Sequence, residues 1–173
     1  GNLPLDPSST IDFRVETHGD GLQFLDGLFD GALSWNDGTA DLRFLIRGTR
    51  NDPIANGYLV LKKGEIVVME KTIKEIEASM IFDFDRLELE NLQAKTDLDG
   101  SIKGSGTIDL FKPTNKQTNP LNLLIKKVPF KLPYVDVQVA SNLKFEGSLL
   151  KPRIGGDLTV KNGAISTVSY THL

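Results

Sequence analysis

GTRNDPIANGYLVLKKGEI (residues 48–66) and GSLLKPRIGGDLTVKNGAI (residues 147–165) spell one pattern twice. Laid on each other without a gap, they agree at Gly48/Gly147, Pro53/Pro152, Gly57/Gly156, Leu59/Leu158, Lys62/Lys161, Gly64/Gly163 and Ile66/Ile165. Thr49/Ser148 and Leu61/Val160 are close substitutions. Lysine apart, no shared residue is reactive, so the repeat is architectural. Glycine and proline punctuate the chain, and the apolar alternation that follows (Leu-x-Leu, then Leu-x-Val) is strand chemistry. Gly48 and Gly147 are expected to end one strand and Pro53 and Pro152 to block pairing in the connection. Gly57 and Gly156 are expected to admit the next strand.

Outward from the repeat the alternation continues. Ile11, Phe13 and Val15 share one parity against Asp12, Arg14, Glu16 and His18. Leu42, Phe44 and Ile46 oppose Asp41, Arg43 and Arg47. Residues 72–84 hold helix-favouring Lys74, Glu75 and Glu77, yet Ile76, Met80, Phe82 and Phe84 keep strand parity. The parity flips at "DFDR", which reads as a turn before Leu87 and Leu89. From Leu98 to Leu110 one face carries Gly100, Ile102, Gly104, Gly106 and Ile108. A polar, proline-bounded loop spans 112–120. The longest alternation runs from 133 to 147, an unusually long strand unless it bends at Ser141. Helical spacing is confined to Leu22, Leu25, Leu28 and Phe29, a single turn plugging one end of a sheet. The chain therefore reads as one β-rich domain, 1–173, of about ten antiparallel strands, with related units around 40–66 and 139–165. Both ends read as boundaries inside a longer protein.

Composition narrows the function classes. Charged residues make up 25% of the chain and hydrophobic ones 39%, as in a folded domain. The net charge of −3 argues against a nucleic-acid or anionic-membrane partner. Cysteine is absent, which removes disulfides, thiolate catalysis and cysteine metal sites. No run of 18 apolar residues marks a membrane-spanning helix.

Reactive groups are sparse. His18 and His172 are far apart, and no Gly-x-Ser-x-Gly elbow accompanies them. Asp83/Asp85, Glu88/Glu90 and Asp97/Asp99 each fall on one strand face, where paired carboxylates hold Ca²⁺ or move protons. They also share the polar parity, which makes a solvated outer face their simpler role. The glycines of "GSIKGSG" (100–106) lack the following helix that a phosphate cradle needs. No enzyme and no cofactor are expected.

A half-apolar sheet must hide that face. Without amphipathic helices it packs as a sandwich, closes into a barrel, or folds lengthwise into a trough. Charges on the polar face, which could not meet lipid, disfavour a porin-like barrel. Gly100, Gly104, Gly106, Gly155 and Gly156, at or beside inward positions, are expected to leave space rather than fill a sandwich core. The fold expected is all-β, a long curved antiparallel sheet forming a U-shaped trough with an apolar concave groove. A β-sandwich is the alternative. By parity the groove candidates are Leu59, Leu61, Ile102, Ile108, Val135, Val137, Val139, Leu143, Phe145, Leu158 and Val160, residues that equally serve as ordinary core.

The ordered arrangement carries a family resemblance. Gly48-x4-Pro53-x3-Gly57-x-Leu59-x-Leu61-x2-Gly64-x-Ile66, its copy at 147–165, and the spacer "MIFDFDRLELENLQAKTDLDGSIKGSGTIDL" (80–110) together resemble the recurring unit of the TamB family, with AsmA-like relatives. The resemblance covers about residues 40–168 and carries no catalytic motif. It implies a β-taco: a trough repeated along a rod in the periplasm or chloroplast intermembrane space, within a protein anchored in the inner membrane. It also implies phospholipid transport between the membranes, with acyl chains in the groove. The alternative role is a scaffold for outer-membrane protein assembly or chloroplast import, adding a strand to a BamA-like barrel partner. Exposed sheet edges, about residues 1–17 and 157–171, are expected to let the chain self-associate.

Overall fold

A computed structural model describes residues 10–19, 22–28, 32–68, 71–97, 99–114, 118–132, 135–161 and 168–170. Ten strands follow one another: β1 (Thr10–His18), β2 (Leu33–Thr49), β3 (Pro53–Val68), β4 (Lys71–Phe84), β5 (Arg86–Thr96), β6 (Ser101–Asp109), β7 (Leu121–Leu132), β8 (Val135–Ser148), β9 (Lys151–Lys161) and β10 (Val168–Tyr170). One short helix, α1 (Phe24–Leu28), separates β1 from β2. The strands form a single open sheet in chain order, each pairing antiparallel with the next. One curled sheet replaces the sandwich alternative, and its trough shape is the expected one.

The two repeat copies fold alike. Gly48 pairs with Pro53 and Gly147 with Pro152, so each copy is a hairpin joining β2 to β3 and β8 to β9. This corrects the role expected of the proline: it opens the next strand at the closing pair of the hairpin. Gly57 and Gly156 lie inside that strand, at φ 143° and 145°. A Cβ on Gly57 would run into the Arg43 carbonyl, and one on Gly156 into the Asn142 carbonyl. Arg43 and Asn142 are themselves 99 positions apart, so the sequence repeat is also a repeat of backbone geometry. It extends into the next pairing: Leu59–Met80 and Gly57–Phe82 on β4 match Leu158–Val168 and Gly156–Tyr170 on β10. Gly163 and Ile165 lie outside the described residues.

Bulges supply the curl, because an extra residue on one strand bends it and increases its twist. They fall between Leu61 and Gly64 and between Lys74 and Glu77, with Lys63 and Glu75 in the left-handed region at φ 51° and 52°. A further one lies between Ile125 and Val128, where Lys127 has φ 53°. Of the two readings of this stretch, a long strand or a bend at Ser141, β8 is the long strand, and the register shift falls in its neighbour β7. β8 holds register with β9 from Gln138 to Ser148, and the Ser141 hydroxyl donates to the Asp157 carbonyl at 2.8 Å. Pro129 is tolerated in β7 because β6 pairs only as far as Lys126, so among the described residues no strand pairs with the proline on that side. β6 starts at Ser101, not Leu98: Asp99 takes φ 59° and the Thr96 N–H donates to the Gly100 carbonyl at 2.9 Å. Leu98 itself is outside the described residues.

The core fills the concave side of β2–β6. Leu22, Trp35, Ala40, Leu42, Leu61, Ile76, Ala78 and Ala94 are buried together. Val15, Phe44, Leu59, Met80, Leu92 and Ile102 pack against them. α1 is pinned to the sheet by the Trp35 N–H, which donates to the Asp26 carboxylate at 2.9 Å. This is the single helical turn expected there; Phe29 and the side chains of Leu25 and Leu28 lie outside the description. At one rim β6 reaches past β7 to pair with β8 at Asp109–Ser148, and the Leu149 N–H donates to the Asp109 carbonyl at 2.7 Å.

Candidate functional site

Direct cross-strand partners share a sheet face, so the register tests the parity reading. One row runs Ala40–Leu61–Ala78–Leu92–Gly104–Leu123–Leu143–Gly156 over eight strands. A second runs Leu42–Leu59–Met80–Leu89–Gly106, and a third Ala94–Ile102–Ile125–Ser141–Leu158. Ile108 stands opposite Leu87, Phe145 opposite Leu121, and Val139 between Val128 and Val160. Val137 pairs with Phe130 and Val135 with Leu132. All eleven groove candidates therefore lie on one face of one sheet.

Their environments differ. Ile108 (1% exposed), Val137 (7%) and Leu61 (9%) are core. Leu59, Ile102, Val139, Leu143, Phe145 and Val160 are half-buried, and Leu158 is exposed. The side chain of Val135 lies outside the described residues.

The inward glycines also differ from the expectation that they leave space. A Cβ on Gly104 would meet Leu123 Cδ2 and Leu89 Cδ2; on Gly100 it would meet the Thr96 hydroxyl; on Gly106, the Pro120 carbonyl. At 100, 104 and 106 the missing side chain admits a neighbour. Gly155 alone of the five has nothing within 4 Å.

Open apolar space lies elsewhere, under the β1 edge. A cavity of about 470 Å³ is lined by Phe13, Val15, Phe24, Leu42, Phe44 and Phe82. Its geometry follows from Gly57. In the row Phe44–Gly57–Phe82 the middle residue has no side chain, so the two rings meet across it, 4.7 Å apart and edge to face. Phe13 and Phe24 stay 51% and 43% exposed at the mouth. None of the eleven candidates lines this cavity. Four phenylalanines make it, and their convergence depends on α1 folding back over β2, which strand parity alone does not report.

The polar face is a solvated surface. His18 is exposed between Glu16 (3.4 Å) and Asp41 (3.7 Å); His172 lies outside the described residues. The Arg14 guanidinium hydrogen-bonds Glu16 and holds its carboxyl below the usual range, and Lys144 does the same for Glu146. Asp83, Asp85, Glu88, Glu90, Asp97 and Asp99 are all exposed, and among the described residues no group of three His, Asp or Glu could hold a metal ion. A depression of about 710 Å³ at the bulged end is lined by charged side chains together with Ala94 and the groove candidate Ile102, and exposed Lys95–Glu75 and Lys74–Asp97 pairs balance charge there. Such pairs contribute no more than about 1 kcal/mol each. No helix among the described residues is long and apolar enough to cross a membrane.

Comparison with known proteins agrees with this geometry. Residues 90–171, from β5 to the end of β10, match the family described as TamB C-terminal domain. Over 133 residues the chain is 22% identical to Protein TIC236, chloroplastic, of Arabidopsis thaliana, which covers 75% of this chain. The chain spans 6% of that protein's length. No solved structure matches. Residues 90–171, just under half of the chain, are thus similar to the TamB C-terminal domain, in line with the resemblance read from the repeat and its spacer.

Proposed function

We propose that this chain is a segment of a hydrophobic conduit through which phospholipid passes between two envelope membranes. Similarity to the TamB C-terminal domain supports a role in envelope assembly or in transport of lipid or protein. The observation that carries the lipid reading is the Phe-lined cavity of about 470 Å³, which opens from an apolar face continuous across the sheet. Phospholipid tails are flexible and apolar and need no fixed polar partner, so a cavity without charged or hydrogen-bonding side chains suits them. The headgroup stays outside, where the polar parity is exposed. Transport of this kind requires no reacting group, and the segment is read as non-catalytic.

The test is a photoreactive side chain at Phe44 in the full-length protein within an intact envelope, with Tyr58 on the opposite face as control. Phospholipid adducts are expected at Phe44 and not at Tyr58. No lipid adduct at Phe44 overturns the conduit.

A further inference from the structure

Resting on the conduit reading above, we infer that Leu123, leaning over Gly104, is the gate between two apolar compartments of this segment and sets how fast an acyl chain passes from one to the other. The residues that make the gate lie in β5, β6 and β7, in the interior of the sheet.

A chain lying along the trough crosses the strands one after another, at steps of about 4.8 Å. Its path over β5, β6 and β7 is the row Leu92–Gly104–Leu123. Gly104 has no side chain, so the floor would be deepest there. The hollow is instead filled from both sides. A Cβ on Gly104 would lie 2.5 Å from Leu123 Cδ2 of β7 and 3.2 Å from Leu89 Cδ2 of β5. Two leucines from the strands flanking β6 thus close over one glycine. Leu89 is left only 5% exposed, although it stands in the concave row Leu42–Leu59–Met80–Leu89.

The apolar face is accessible on either side of this closure. Toward β1, Leu59 and Met80 are half-buried, and the Phe-lined cavity opens beyond them. Toward β9, Leu143 and Val160 are half-buried and Leu158 is exposed. Between the two groups Leu89, Ile108 and Leu110 are buried. An acyl chain that passes from one compartment to the other must therefore cross β6.

Of the glycines at 100, 104 and 106, only Gly104 offers a crossing. At Gly106 the space is taken by backbone, the Pro120 carbonyl and Leu121 Cα, and Leu121 is held by its pairing with Phe145. At Gly100 it is taken by the Thr96 hydroxyl and the Lys127 carbonyl. At Gly104 the two nearest atoms are the far ends of leucine side chains, with the Asn122 carbonyl third at 3.3 Å. Leu123 is half-buried, so its side chain has concave space in which to change rotamer. Leu89 is walled in. Leu123 is thus the moving part and Leu89 its stop.

The test places photoreactive side chains at Phe44 and at Leu158, one on each side of the gate, in the full-length protein within an intact envelope. A pulse of labelled phospholipid is given, and the lag between labelled adducts at the two positions is measured. Leu123→Ala is expected to shorten the lag and Leu123→Trp to lengthen it, whichever way the lipid travels. Each change is expected to be about tenfold, the size set by contacts of about two buried methylene groups. Opposite signs at one position cannot come from lost folding. Leu124→Ala, on the outward parity of the same strand, is expected to leave the lag unchanged. Equal lags for the two Leu123 variants, or adducts at Phe44 with none at Leu158, overturn the gate and leave the conduit standing. No lipid adduct at Phe44 in the otherwise unaltered protein overturns the conduit, and the gate with it.

Discussion

A glycine in the left-handed region tests whether a repeat is geometry or coincidence. Gly57→Ala and Gly156→Ala each place a Cβ against a backbone carbonyl of the adjoining strand, at a φ that L-residues avoid. Each is expected to cost about 1–3 kcal/mol, and the two losses in urea unfolding should be similar. A benign Gly156→Ala would break the equivalence of the two hairpins. Ser148 gives the opposite outcome. Its hydroxyl is fully buried and, like Asp109 Oδ1 and Arg86 Nε, makes no hydrogen bond among the described residues. Ser148→Ala is therefore expected to be neutral or stabilising by up to about 1 kcal/mol, since no made bond is lost. Glu146 predicts a titration. Its carboxyl is held below the ordinary range chiefly by the Lys144 hydrogen bond. A lowered folded pKa means that its contribution is present above the unfolded pKa and fades as pH falls through the folded value. Carboxyl NMR should find the Glu146 midpoint below the ordinary glutamate range, and Lys144→Met should raise it.

Among elements, the strands divide by what their apolar side meets. Ile108 on β6 is 1% exposed, and Ile108→Ala should cost about 2–5 kcal/mol by chemical denaturation. Leu150, at the tip joining β8 to β9, is 70% exposed, and Leu150→Ser should stay within about 0.5 kcal/mol. Parity puts Ile108 on the apolar face and says nothing of how deep it lies. The strands themselves were largely readable: β1, β2, β4 and the turn at Asp85 follow from alternation. β7 was not, because Pro129 and the bulge at Lys127 interrupt its pattern. A proline reads as a strand breaker until it is known that β6 has already stopped pairing there.

At the scale of the molecule, a sheet paired in chain order behaves as a line of nearest neighbours. Protection from exchange should be greatest in β3 and β4, which are flanked on both sides by long, fully paired strands, and least in β10, which holds three residues of β9. Uniform protection across all strands would contradict this order. The candidate site belongs to the same scale. Phe13 and Val15 come from β1, Phe24 from α1, Leu42 and Phe44 from β2, and Phe82 from β4. Each was visible as apolar in the sequence, but no spacing connects residue 13 with residue 82.

By itself the sequence determined the strand content, the antiparallel hairpins, the shared face of the eleven candidates and the family resemblance. Those properties are local: alternation follows from the two-residue period of a strand, and the repeat from glycines that no other residue replaces. Only the tertiary structure decided where the apolar face is filled and where it is open. Depth depends on how far bulges at Lys63, Glu75 and Lys127 curl the sheet and on which side chain crosses above a glycine. The glycine at 104 is occupied by Leu123, while the one at 57 lets two phenylalanines meet beside an open cavity.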